Sequence, residues 1–502
     1  MKPPDAQRQI NEARQALLSR QFDQALPRYE RLTRQFPLSA VVWFEYGNAA
    51  LGLRQLEEAE RGWGKALELD PRNAELIGLI GHQFQGLRQP ERARECFARA
   101  AVANPKGINP RISLAVLLEQ CHQLAESRAA VEQCLSIDSH DDQARYFQAV
   151  LDRRENKIET AEQRLRDLIA SEPKHPFVRY ACRYELAQIL DRTGRVAEAM
   201  GTLAEAKVIV GALADTSLLL RSYDRGADGA RKFTRELPKN ILRTWGAEFP
   251  AKERSVIPRL AFLGGHPRSG TTLLEQVLDS HPDVSAFDES TAFLEVLQPL
   301  FFGSKKFTAH RTNVLRTEYI QALRREAGAG TSGNYLIDKN PSPTARLPLW
   351  LKVFPELRVI IALRDPRDVV LSCYFQNIPL NPTNVNFLSF ERLARHYADL
   401  MDIWLAVREW EGFSWIETKY EDMVADVGHE GKRVTEFLGL SWDARQARFY
   451  EKSRQKQLYS PTYQDVTQPV YSRSVARWRA YEKYLEPVLP VLEPYCRKLG
   501  YI

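Results

Sequence analysis

The first half of the chain repeats itself. Ala25, Ala59, Ala93, Ser127 and Ala161 recur every 34 residues. Four residues after each stands Tyr29, Trp63, Phe97, Val131 or Leu165, and twelve after each stands Pro37, Pro71, Pro105, Ser139 or Pro173. A unit of this length cannot bury its apolar face alone, so a fixed period implies a stack in which neighbours cover one another. The residue types fit a pair of short helices. A small residue lets the two helices approach, a large apolar residue one turn later fills the gap between neighbours, and proline ends the second helix because it lacks a backbone N–H.

The second unit carries the fullest set, with Trp43, Tyr46, Gly47, Ala59, Trp63, Ala66 and Pro71 in register, and the third follows with Gly81, Ala93, Phe97, Ala100 and Pro105. The fourth has lost the small residue and the proline. A sixth, with Ala199, Leu203 and Ala206, is displaced by four residues near His175-Pro176-Phe177. These marks resemble the tetratricopeptide repeat. The resemblance implies an α-solenoid over residues 1–208 that binds a protein partner, orients an acceptor, scaffolds the rest of the chain or drives self-association. Residues 209–258 lose the period but stay helical and polar, as in Asp228-Gly229-Ala230-Arg231-Lys232-Phe233, and read as a helical connector.

At 502 residues there is ample chain for a further domain. A net charge of +6 permits an anionic ligand but gives no footprint of a nucleic-acid binder. No apolar stretch has the length of a membrane span or a signal core, so neither a membrane span nor a leader is expected. Cys96, Cys121, Cys134, Cys182, Cys373 and Cys496 show no paired or metal-binding spacing, and the first three fall at apolar helical positions. A reducing cytoplasm is the expected location.

Residues 259–502 open with a phosphate-binding signature. Leu260-Ala261-Phe262-Leu263 reads as a buried parallel strand, His266-Pro267-Arg268-Ser269-Gly270 as a loop, and Thr271-Thr272-Leu273-Leu274 as a helix start. Strand, glycine-bearing loop and helix N-terminus make an anion site, because backbone N–H groups and the helix dipole face the ligand. Gly265, Gly270 and Thr272 fit the Walker A spacing, but Thr271 stands where its lysine should be. That argues against an ordinary nucleotide kinase or ATPase. A second apolar strand, Arg358-Val359-Ile360-Ile361-Ala362-Leu363, ends in Arg364, the place where open α/β sheets bind ligands. Ser372 lies about two turns into the next helix, and Arg367 and Asp368 read as a solvated pair at its start.

Pro267-Arg268-Ser269-Gly270-Thr271-Thr272 resembles the 5′-phosphosulfate loop of sulfotransferases. Leu278-Asp279-Ser280-His281-Pro282-Asp283-Val284 and Gln464-Asp465-Val466-Thr467-Gln468-Pro469-Val470 are similar to segments of tyrosylprotein sulfotransferases. With the repeats, the chain looks like bacterial proteins that join tetratricopeptide repeats to a sulfotransferase domain. The resemblance implies an α-solenoid followed by a P-loop-like parallel-sheet domain. It also implies a donor, 3′-phosphoadenosine-5′-phosphosulfate (PAPS), with PAP as product and no metal. Arg268, Ser269, Gly270, Thr271 and Thr272 are then expected at the 5′ end of the nucleotide, with Arg268 also a catalytic group, and Arg364 and Ser372 at its 3′-phosphate. Tyr420, Thr462 and Arg477 would complete the donor site.

Sulfuryl transfer needs a base for the acceptor hydroxyl and a cation for the leaving oxygen. Glu289 matches the family's catalytic glutamate, with Asp288 and His266 as alternatives. Lys339 matches a family lysine; otherwise it would be an exposed loop residue paired with Asp338. Thr291 and Glu295 stand where tyrosylprotein sulfotransferases place basic residues, and Gln376 replaces a further arginine. The acceptor therefore stays open among protein tyrosine, carbohydrate, lipid and small alcohols. The competing reading is a repeat scaffold whose nucleotide domain has lost activity. Because the repeats carry no phosphate loop, residues from Arg259 onward are expected to hold the nucleotide alone.

Overall fold

The computed structural model describes residues 3–298, 308–327, 333–454 and 464–502. It divides into two compact units, Met1–Leu151 and Asp152–Ile502.

In the first unit, helices follow one another in pairs: α1 (Pro3–Leu18) with α2 (Phe22–Gln35), α3 (Ala40–Gly52) with α4 (Leu56–Leu69), α5 (Ala74–Gly86) with α6 (Pro90–Ala103), and α7 (Asn109–Gln120) with α8 (Leu124–Ile137). Most of α9 (Asp142–Arg154) closes it. The periodic residues are its core: Ala25, Ala59, Ala93 and Ser127 are buried together with Tyr29, Trp63, Phe97 and Val131. Ser127 meets burial by donating its hydroxyl to Ala115 O at 2.7 Å. A Cβ on Gly47 would lie 2.6 Å from the Trp63 ring, and one on Gly81 would lie 2.7 Å from Phe97, so both glycines make room for the partner helix's aromatic residue.

Each first helix ends in the same way. Arg20, Arg54, Arg88 and His122 adopt φ of 56°, 62°, 59° and 61°. Around Arg54 the Gln55 N–H reaches Ala50 O and the Arg54 N–H reaches Leu51 O, the paired bonds of a Schellman cap. The other three turns repeat this pair.

The second unit continues the pattern with α10 (Ile158–Ala170), α11 (Pro176–Arg192) and α12 (Val196–Gly211), whose turns place Asn156 and Gly194 at φ of 63° and 74°. Two further helices follow, α13 (Thr216–Glu236) and α14 (Ile241–Glu248). Then comes an alternation of β1 (Arg259–Gly265), α15 (Thr271–Asp279), β2 (Val284–Asp288), α16 (Ala309–Ala327), β3 (Tyr335–Lys339), α17 (Leu347–Val353), β4 (Arg358–Leu363), α18 (Pro366–Tyr374), α19 (Phe390–Val407) and β5 (Ser414–Lys419).

Among the described residues the five strands form one parallel sheet in the order β2-β3-β1-β4-β5. Helices cover both faces, as buried apolar strands require. Ala261 and Leu263 of β1 meet Leu274 and Val277 of α15 on one side. Phe262 meets Trp350 of α17 on the other, ring centres 4.8 Å apart. Helix α13 lies on α19: Tyr223 Oη is 2.7 Å from His396 Nδ1, and Arg392 pairs with Asp224 at 2.6 Å.

Candidate active site

The order of the strands explains where the candidates meet. In this sheet β1 lies between β3 and β4, so the chain leaves β1 at the point where the strand order reverses, and ligands of open α/β sheets bind outside the carboxyl ends there. Each strand brings a candidate to that edge. His266–Thr272 follow β1, Asp288 and Glu289 end β2, Lys339 ends β3, Arg364 follows β4 and Tyr420 follows β5.

The loop after β1 is tightly shaped. Gly265 has φ 128°, and a Cβ there would strike Ala362 O; Gly270 has φ 87°, and a Cβ would lie 2.6 Å from the Tyr420 ring. Arg268 between them takes φ 72°. Gly270 is the N-cap of α15 and brings no capping side chain, so the start of this helix, at Thr271 and Thr272, has the form of an anion-binding helix N-terminus.

Arg268 and the two residues expected at a 3′-phosphate come together. Arg268 Nε donates to Ser372 Oγ at 3.1 Å, and Arg364 Nη1 donates to Arg268 O at 3.2 Å. Arg364 Nη2 donates to Ser474 O at 2.6 Å, and its guanidinium centre is 4.9 Å from the Tyr420 ring. Its Nε is buried without a hydrogen-bond partner among the described residues, a donor left unsatisfied beside this loop. Burial, reinforced by Arg364, pushes the Arg268 guanidinium below its ordinary range. An anion would relieve both arginines, so this donor set fits a phosphorylated, sulfated nucleotide.

The acid–base candidates lie on the other half of the sheet edge. Lys339 is wholly buried and sits on a strand. It forms an ion pair with Asp288, and its Nζ lies 3.6 Å from Glu289 Oε1 and 3.9 Å from Glu275 Oε2. Burial opposes its charge, but Asp288, Glu289 and Glu275 outweigh it and raise its pKa. The alternative of an exposed loop lysine paired with Asp338 is thereby corrected: Asp338 bonds instead to the Tyr319 hydroxyl on the far face of the strand. Asp288 is committed to Lys339. Glu289 has φ 53°, bonds through its N–H to Lys339 O at 2.8 Å and keeps its side chain 39% exposed. Left-handed backbone at a non-glycine residue is strained, and such strain persists where surrounding structure fixes it.

His266 is buried against His396 and Tyr397, with Nδ1 2.8 Å from Pro267 O. Burial holds its pKa down to about 4, so it is neutral. Arg367 and Asp368 are not the solvated pair expected from the sequence. Arg367 is held by Asp365 and lies over Trp478, and Asp368 is buried and accepts from the Trp478 N–H at 2.7 Å. Arg477 donates to Asp191 of α11 at 3.0 Å and lies over Phe375. Gln376 bonds to Ser372 O. Thr462 lies outside the described residues.

Sequence reasoning passed over Glu275 and Asp191. Glu275 left a faint signal, a charge within the apolar run Leu273-Leu274-Glu275-Gln276-Val277. Asp191 left none, since it lies in the repeats.

Residues 261–444 match the model of the sulfotransferase family, and residues 10–74 match a tetratricopeptide-repeat model. An uncharacterized protein of Aquifex aeolicus is 27% identical over 278 residues, 52% of this chain and 35% of that protein. Protein-tyrosine sulfotransferase A of Caenorhabditis elegans is 27% identical over 195 residues, 36% of this chain and 50% of its own length. Protein-tyrosine sulfotransferase 1 of Danio rerio is 32% identical over 130 residues, 24% of this chain and 37% of its own. The chain thus spans half or less of each of these relatives. The protein joins N-terminal tetratricopeptide repeats to a C-terminal domain of the sulfotransferase family.

Proposed function

We propose that this protein transfers a sulfuryl group from PAPS to an acceptor hydroxyl. The observation that carries the reading is the convergence at one sheet edge of a phosphate loop, of Arg268 and Arg364, the latter's Nε without a partner among the described residues, and of Glu289 beside Lys339. When bound, PAPS supplies an activated sulfuryl group on a 5′-phosphate oxygen. Residues Ser269–Thr272 of the loop and the Arg268 guanidinium would hold the phosphosulfate end, and Arg364 and Ser372 would hold the 3′-phosphate. Tyr420 walls the loop at Gly270.

Glu289 is the general base. It alone of the three carboxylates around Lys339 is substantially exposed, so an acceptor hydroxyl can reach it. Lys339 supplies positive charge to the leaving oxygen, and Asp288 keeps it ionised despite burial. The repeats bind the acceptor, a protein partner or a second copy. The likeness to protein-tyrosine sulfotransferases suggests a tyrosine acceptor, but Thr291 and Glu295, hydrogen-bonded to each other, offer no positive charge for an acidic peptide.

The test is a nucleotide panel with purified protein, with and without a chelator. Metal-independent turnover of PAPS supports the proposal. PAP binding without turnover favours a scaffold that has lost activity, and ATP turnover would overturn the donor assignment.

A further inference from the structure

Residues 464–481 pass over the carboxyl end of β4 and are fastened on both sides. On the sheet side, Ser474 O accepts from Arg364 Nη2 at 2.6 Å and the Trp478 N–H donates to Asp368 Oδ1 at 2.7 Å. On the other side the anchors are repeat helices. Arg477 Nε and Tyr481 Oη both donate to Asp191 Oδ1, at 3.0 Å and 2.6 Å. Arg153 Nη1 and Nη2 both donate to Gln464 Oε1 at 3.2 Å. Arg153 is itself buried and ion-paired with Glu185 of α11, so its fork is rigid.

We propose that Asp191 is a positioning residue of the donor site, supplied by the repeats, and that it acts by holding residues 464–481 closed beside Arg364. This rests on the donor reading above and departs from the expectation that residues from Arg259 onward suffice. The argument is mechanical. Arg364 is oriented by two carbonyls, Arg268 O and Ser474 O. Ser474 lies three residues before Arg477, so its place depends on where Arg477 is tied. One carboxylate oxygen receives both Arg477 and Tyr481, and charge-assisted bonds of this kind are the strong ones. Without that carboxylate, the Ser474 carbonyl loses its far anchor and Arg364 loses its orientation toward the 3′-phosphate. The repeats thereby gain a physical route to the donor site through the last turn of α11.

The experiment uses the full chain, with Asp191→Asn, Asp191→Glu and Gln464→Ala. PAP binding is measured by calorimetry and KM for PAPS by initial rates. The accessibility of Arg473 and Arg477 is read from the rate of tryptic cleavage without nucleotide. Asp191→Asn is expected to weaken PAP about 10-fold and to raise KM while kcat holds, with cleavage several-fold faster and Asp191→Glu restoring part of each. Gln464→Ala, cutting the other tether, is expected to act in the same direction and serves if Asp191→Asn does not fold. Unchanged PAP affinity together with unchanged cleavage overturns the proposal. Failure of the unaltered protein to bind PAP overturns the donor reading instead, and the cleavage arm still decides whether Asp191 holds the segment.

Discussion

Glu289 and Asp288 are neighbours in sequence with opposite surroundings. Asp288 is buried against Lys339, while Glu289, turned by its left-handed backbone, reaches toward solvent. Glu289→Gln keeps shape but cannot accept a proton. Turnover is expected to fall about 10²–10⁴-fold with PAP affinity unchanged, read by single-turnover rates at saturating PAPS. Arg364→Ala should weaken PAP by about 1.5–3 kcal/mol and weaken the analogue lacking the 3′-phosphate far less, measured by calorimetry. Asp368 carries a pH signature. Burial raises it to about 6, despite Arg364 and the Trp478 N–H, from an ordinary value of 3.8. The folded state then binds more protons than the unfolded state between these values, so stability falls as pH rises through that window, and the cost is complete above it. Asp368→Asn keeps an oxygen for Trp478. It should stabilise by about 1–3 kcal/mol near pH 7.5 and by almost nothing near pH 4, read by urea unfolding.

At the scale of elements, the sequence shows the repeats and the two phosphate-binding strand ends because each is local. A 34-residue period and a strand–loop–helix run are visible in consecutive residues. The left-handed turns were hidden, since arginine, histidine and asparagine stand where glycine would have marked them; only Gly194 in the displaced unit does so. Non-local partners were hidden for the same reason: Lys339 beside Asp288, and Asp368 beneath Trp478, join residues that only the sheet order brings together. The turns give a test. A left-handed conformation costs a non-glycine residue about 1–2 kcal/mol, offset by about 0.5–1 kcal/mol of extra chain entropy for glycine. Arg20→Gly is expected to raise the melting temperature of the full chain's repeat transition, while Arg20→Ala leaves it unchanged, as calorimetric scans would show.

At the scale of the whole molecule, the question is how much chain the sheet needs. Helices α10–α14 belong to the same compact unit as the sheet, and their polar groups are committed to it. Lys207 of α12 is buried and donates to Phe387 O at 2.7 Å, with the rings of Tyr184 and Tyr374 about it. Asp399 pairs with Arg231 at 2.5 Å, Arg392 with Asp224, and Asp191 receives Arg477 and Tyr481. A fragment starting at Arg259 strips every one of these partners. Each buried polar group left unpaired costs about 1–3 kcal/mol, and the sum is comparable to the whole stability of a domain, about 5–15 kcal/mol. That fragment is expected to lose cooperative melting and PAP binding together. A fragment starting at Ser139 keeps α9 to α14 whole and removes only α1–α8. It is expected to melt cooperatively and to bind PAP as the full chain does, by scanning calorimetry and titration on matched samples. The reverse outcome, an Arg259 fragment that melts sharply and binds PAP undiminished, would show that the sheet holds its nucleotide without help from the repeats and would remove Asp191 from the site.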